Sequence, residues 1–231
     1  MLGMRTSSAF LLALPLLALG CSSSQPTTNN DAGDTDAALD AGPYLPTGYT
    51  LVPFLSDQPV HKFTKADQVI DPSKSYVGVL DTDVGRIVMN LLSADAPITV
   101  NSFVFLTLHH FYDGVAFHRV IDGFMAQTGD PNSISGAPST WGTGGCGYTF
   151  GLEVNPSLNF DAPGVVGMAR TSDPNSNGSQ FFITFVAYPS LNQQYTVWAK
   201  VIEGLDVLPN IVRGEPPANP TRILDAYIGV Q

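Results

Sequence analysis

Residues 117–130 run Phe117-His118-Arg119-Val120-Ile121-Asp122-Gly123-Phe124-Met125-Ala126-Gln127-Thr128-Gly129-Asp130, and the pairing within this stretch decides the fold. Asp122-Gly123 lies between two apolar runs, and Asp-Gly is favoured where a tight turn needs positive φ, so the stretch predicts a β-hairpin. Its register decides which side chains meet. A two-residue loop at Asp122-Gly123 puts Arg119 opposite Ala126 and sends Met125 and Gln127 to the other face. A three-residue loop, 122–124, sets Arg119 opposite Gln127 and Ile121 opposite Met125, so that Arg119, Met125 and Gln127 share a face. Spacing alone leaves both open.

Outward from this hairpin, short strand-like runs alternate with turn signals. Residues 76–82 and 86–92 flank Asp83-Val84-Gly85 as a second hairpin. Residues 164–170, 180–185, 195–202 and 223–229 are further strand candidates, rich in β-branched and aromatic side chains that suit a pleated, half-buried surface. One segment changes period. Over 97–109, Val100, Phe103, Val104 and Leu108 recur near i, i+3, i+4 spacing behind Pro97, which predicts a helix. A second helix is expected near 206–212, held to a turn or two by Pro209. Many short strands with few helices point to a barrel or a sandwich.

Composition narrows the function. The 231 residues carry a formal net charge of −10, which argues against a nucleic-acid partner, because such a protein needs a basic face to displace phosphate counterions. Of the 20 acidic residues, Asp31, Asp34, Asp36 and Asp40 crowd one short stretch, so the acidity is first a solubility trait. The 44% hydrophobic content supports a sizeable core, and the dispersed 22 Gly and 18 Pro signal many turns. Cys21 belongs to a processing signal, which leaves Cys146 without an intramolecular partner and marks it as a free, partly buried structural thiol. Adjacent His109 and His110 point to different sides of a helix, and neither they nor His61 and His118 form a ligand cluster with Cys146 by spacing. No metal or other cofactor is expected.

The first forty-five residues look like an address and a tether. Arg5 precedes an apolar run, 9–19, too short to span a bilayer. It ends Leu17-Ala18-Leu19-Gly20-Cys21, which resembles a bacterial lipoprotein signal with Cys21 as the lipidated residue; an ordinary secretory signal cut nearby is the alternative. Residues 22–45 contain no Lys or Arg and too little apolar surface to offset chain entropy, which predicts a disordered linker. The expected organisation is a signal peptide over 1–20, lipidated Cys21 with a linker over 21–45, an extension over 46–75, and a folded domain over 76–231. Ser22 after the Cys favours the outer membrane over the inner, with a soluble secreted form as the alternative. The extension is either an extra strand or an arm over the domain.

The 117–130 block resembles a signature of the cyclophilins, as does Asn175-Ser176-Asn177-Gly178-Ser179-Gln180-Phe181-Phe182-Ile183. Phe111-Tyr112-Asp113-Gly114 and Gly142-Thr143-Gly144-Gly145 fit in order, and the resemblance spans about residues 76–230. It implies a mainly β fold, a closed eight-stranded antiparallel barrel capped by two helices. It also implies a monomeric peptidyl-prolyl cis-trans isomerase acting on proline-containing peptides and unfolded exported proteins. Carried over by motif, Arg119 matches the catalytic arginine and Gln127 the polar group that orients it. Phe124, Met125, Phe182 and Leu191 match the pocket for the proline ring, with Gln180 beside it. Gly142 and Ala169 line the groove for the peptide backbone, and Arg170 falls where a peptide meets the main chain. Tyr195 replaces a pocket His, and Ser190 stands where a Trp is frequent. Trp141, in the Gly- and Ser-rich loop 131–147, either extends the groove or packs within its loop.

Overall fold

The computed structural model describes residues 43–231; the signal, Cys21 and most of the linker lie outside the described residues. Nine strands form one antiparallel sheet. They are β1 (Thr50–Leu51), β2 (Tyr76–Thr82), β3 (Gly85–Leu91), β4 (Arg119–Ile121), β5 (Met125–Thr128), β6 (Val165–Met168), β7 (Phe181–Thr184), β8 (Val197–Glu203) and β9 (Ile223–Val230). Their order across the sheet is β1-β9-β2-β3-β8-β6-β7-β5-β4.

Two expectations change. The ladder has nine strands rather than eight, because Thr50 and Leu51 of the extension pair with Val230 and Gly229. Nor is it a continuous closed barrel. Its far edge, β4, meets the segment before β9 only through isolated bridges, Ala116 with Arg222 and Val120 with Gly214. A few main-chain bonds reinforce this seam, among them Phe117 N–H to Thr221 C=O at 2.9 Å. Pro216, Pro217 and Pro220 lie in that stretch, and residues without an N–H cannot continue a ladder.

The helix α1 (Pro97–Thr107) forms where the periodicity places it. It was expected to bury one stripe, yet Thr99, Asn101, Ser102 and Thr107 are buried along with Val100, Phe103 and Val104. Loop residues Glu153 and Tyr148 bond Thr99 and Ser102, and the extension covers Asn101. The extension runs over the helix, and Asn101 bridges the two: its Oδ1 accepts from Val69 N–H at 2.8 Å while its Nδ2 donates to Asp67 C=O at 2.9 Å. Buried polar groups are tolerated because they are bonded in this way. The second expected helix reduces to a single 3-10 turn, Leu208–Asn210, where Pro209 limits it. A short helix, α2 (Asn132–Ser135), opens the loop after β5 instead.

The core lies between α1 and the inner face of the sheet. Phe103 of α1 packs against Trp198 (centroids 4.7 Å), Tyr112 (5.2 Å) and Phe181 (5.7 Å). Gly78 of β2 makes room for this cluster, since a Cβ there would lie 2.9 Å from the Phe103 ring. β2 is buried along its whole length rather than on alternate residues. Its outward Val77 and Val79 are covered with Val88 and Tyr227 by Leu45 at the end of the linker and by Tyr49 and Phe54 of the extension. The extension is therefore both an added strand and an arm.

No side chain caps the N-terminus of α1 locally. Glu153, from a distant loop, supplies the acceptors: Oε1 takes Ile98 N–H at 3.0 Å and Oε2 takes Thr99 N–H and Oγ1 at 2.7 Å each. Its charge also complements the positive end of the helix dipole. Glu153→Ala should lower the unfolding free energy by about 1–2 kcal/mol in urea denaturation, and an unchanged midpoint would contradict that role.

Candidate active site

The β4–β5 pairing takes the three-residue loop. Arg119 lies opposite Gln127, Val120 opposite Ala126 and Ile121 opposite Met125. β7 continues the face, with Phe182 opposite Gln127 and Thr184 opposite Met125. Because side chains alternate along a strand, Arg119, Met125, Gln127 and Phe182 all emerge on one side.

Two groups of side chains fill that side. The first is apolar: Met125 and Phe182 are buried with Phe160, Val165 and Val197, and Phe124, Ala169, Leu191 and Tyr195 pack against them at the rim. The Phe182 ring lies 5.6 Å from Phe160 and meets Tyr195 edge-on at 5.7 Å. Gly167 of β6 lies beneath; a Cβ there would come within 2.5 Å of Phe182 and 2.8 Å of Phe160, so any side chain would push this floor outward.

The second group is a polar chain. Arg119 donates from Nε to Glu215 Oε2 at 2.9 Å and from Nη1 to Gln127 Oε1 at 3.4 Å. Gln127 Nε2 donates to Gln180 Oε1 at 2.9 Å, and Gln180 Nε2 donates to the carbonyls of Gly142 (3.0 Å) and Gly144 (2.8 Å). Nη2 of Arg119 has no partner among the described residues. Arg119 keeps 41% of its side-chain surface exposed, so it sits at the lip of the apolar pocket rather than in its floor.

Arg170 is folded back. Its guanidinium donates to Gln194 C=O at 2.7 and 3.0 Å and to Thr171 C=O at 2.8 Å, and its Cζ lies 4.8 Å over the Tyr195 ring. Trp141 donates from Nε1 to Gly136 C=O at 2.9 Å, which ties it into its own loop. His118 is buried beside Gly142 with both ring nitrogens unpartnered, and burial lowers its pKa so that it is neutral at pH 7. Cys146 is free and buried, and burial pushes its thiol up. His110, Asp113 and Asp225 bring ligand-type atoms within 4.8 Å of one another, which spacing did not reveal. Asp113 is occupied there, accepting from His110 at 2.8 Å and from Ala226 N–H at 3.2 Å, so the group ties the turn after α1 to β9.

Sequence reasoning assigned no role to two residues of the site. Glu215, paired with Arg119, lies 96 positions away in the chain and carries no local signal. Asp130 was legible only as part of a motif. It is fully buried, and its carboxylate accepts the amides of Asn132 (2.8 Å), Gly142 and Gly144 (3.1 Å), so one charge fastens loop 131–147 beside the pocket.

Comparison with known proteins gives one answer along most of the chain. The family model described as cyclophilin type peptidyl-prolyl cis-trans isomerase/CLD matches residues 77–228. Peptidyl-prolyl cis-trans isomerase-like 3 of Gallus gallus is 45% identical over 130 residues, covering 56% of this chain and 77% of that protein. An Arabidopsis thaliana peptidyl-prolyl cis-trans isomerase is 42% identical over the same length, covering 56% and 78%. A crystal structure of a cyclophilin type isomerase from Cryptosporidium parvum superposes with a TM-score of 0.60 at 30% identity, covering 67% of this chain and 97% of that one. A second structure of it, in the presence of the dipeptide Ala-Pro, gives 0.59 at 32% identity, covering 66% and 98%.

Truncating Asp130 would leave buried amides without an acceptor, a loss on the order of 2–4 kcal/mol. Asp130→Ala should therefore destabilise the protein by about that much and speed amide exchange across 131–147. Exchange as slow as in the wild type would show that the loop is held by other contacts.

Proposed function

We propose, on the premise that this chain belongs to the cyclophilin-type peptidyl-prolyl cis-trans isomerase family, that Arg119 is the group on which its isomerase activity depends. The observation that carries this reading is the polar chain from Glu215 through Arg119 and Gln127 to Gln180, laid along the lip of the pocket of Phe124, Met125, Phe182, Leu191 and Tyr195.

Rotation about an Xaa-Pro bond meets a barrier of ~18–20 kcal/mol because amide resonance must be broken. No proton is transferred and no covalent bond forms. In the twisted state the proline nitrogen turns pyramidal and regains its lone pair. A guanidinium donor aimed at that nitrogen is worth little in the planar ground state and much in the twisted one, which is the condition for acceleration. Glu215 and Gln127 hold Nε and Nη1, leaving Nη2 available as that donor. Arg suits the task because it stays charged and its fork is rigid. The apolar pocket takes the proline ring and excludes water, which strengthens the bond. Gly142 and Ala169 border the path of the peptide backbone, and the main chain at Arg170 meets it where the side chain has turned away onto Tyr195.

We also infer that the domain works on exported proteins from a membrane surface, held by a lipid on Cys21. The support is in the sequence: an apolar run ending Leu17-Ala18-Leu19-Gly20-Cys21, followed by a linker without Lys or Arg. Among the described residues no helix is long and apolar enough to cross a membrane.

In an isomerisation assay on a short Xaa-Pro peptide, Arg119→Ala should lower kcat/KM by on the order of 10²-fold, with the fold intact by circular dichroism. Equal rates for the two proteins would place the catalytic group elsewhere. For the anchor, the full chain expressed in a bacterium that processes lipoproteins should incorporate labelled palmitate and sediment with membranes, and Cys21→Ser should do neither. An unlabelled wild-type chain would remove the anchor from the proposal.

A further inference from the structure

Beyond the proline pocket the surface continues as an open groove of about 1280 Å³, reached past Gln127, Gln180 and Ala169. One wall is the loop around Gly142–Gly145 and Tyr148. The extension continues this wall at Pro59, Val60, His61 and Lys62. That wall is held in place from behind. Val60 N–H donates to His109 C=O at 3.0 Å and Phe63 N–H to Cys146 C=O at 2.8 Å, while the Phe63 ring packs on Phe105 at 4.9 Å and on His109 at 5.0 Å.

The charge of this groove is opposite to that of the protein. The chain has 20 acidic residues against 10 basic ones, yet among the described residues no acidic side chain lines the groove; its charged lining residues are Lys62 and Arg170. Asp130 lies under the loop with its carboxylate taken up by amides. His61 is neutral at pH 7, because burial against Phe111 lowers its pKa. The two cations are not equivalent. Arg170 spends its donors on carbonyls and its face on Tyr195. Lys62 is exposed, lays its stem over Gly147, and makes no ion pair or side-chain hydrogen bond among the described residues, so all three ammonium donors are free.

We propose that this groove is a subsite for acidic peptide segments, in which Lys62 of the extension selects substrates carrying Glu or Asp a few residues from the isomerised proline. The inference rests on the reading of the proline pocket given above. A peptide whose proline fills that pocket must run its flanking residues across the adjoining surface, where Lys62 is the free cation open to a carboxylate. The interaction is partly exposed, so it tunes preference rather than creating activity.

The test is a set of Xaa-Pro peptides with Glu, Ala or Lys placed in turn at each of the three positions on either side of the Xaa-Pro pair. The wild type should favour Glu over Ala at one or two of these positions, by about two- to fivefold in kcat/KM, and disfavour Lys there. The ranking should flatten in about 1 M salt, where the Debye length is about 3 Å. Lys62→Ala should erase it and Lys62→Glu reverse it, both keeping wild-type rates on the all-Ala peptide, which also shows that the variants fold. Acceleration of the all-Ala peptide with no charge ranking, or a ranking unchanged in Lys62→Glu, overturns the subsite and leaves the isomerase site standing. No acceleration of any peptide overturns both.

Discussion

The pairing of Arg119 with Gln127 across the loop 122–124 is the constraint on which the site depends. Period-two alternation makes it an all-or-none matter: one residue of slip would turn Met125 and Gln127 away from Arg119 and divide the pocket from its donor. The correct register places the cross-strand bond from Arg119 to Gln127, the contact of Gln127 with Gln180 and the buried faces of Met125 and Phe182 in one patch. The β7 pairing extends the same face, with Phe182 opposite Gln127 and Thr184 opposite Met125. Apolar floor and polar lip are thus specified by one set of main-chain bonds.

A second dependence runs through the extension. Without it, β2 would show Val77 and Val79 to water, and α1 would carry Asn101 on an open face. Burying each valine contributes roughly 1.5–3 kcal/mol, so an arm with few apolar residues still makes a sizeable difference to a marginally stable fold. The same covering brings Pro59–Lys62 alongside the groove. Stability and the shape of the groove are therefore linked through one segment.

Much of this was legible in the sequence because it is written in local patterns. Strand runs, the period of 97–109 and the two long motifs locate β2 to β9, α1 and the pocket residues within a residue or two. The hairpin register was not legible, since 117–130 satisfies both alternatives locally. Glu215 was invisible for a similar reason: an exposed Glu in a Pro-rich stretch looks like any solvated charge until folding brings it to Arg119. The number of strands and the seam at 214–222 depend on long-range pairing and on prolines that interrupt it. The extension hid its role because Tyr49, Phe54 and Phe63 are too sparse to show a period, the first two meeting the outer face of β2 and Phe63 meeting α1.

The two outermost strands, β1 and β4, are two and three residues long. A sheet edge is a row of unpaired N–H and C=O groups on which another chain can add a strand, and short edges offer too few of them to hold a visitor. The longer β9 and β5 are shielded behind them. The sheet thus offers another chain no long template on either side, and is guarded against edge-to-edge aggregation.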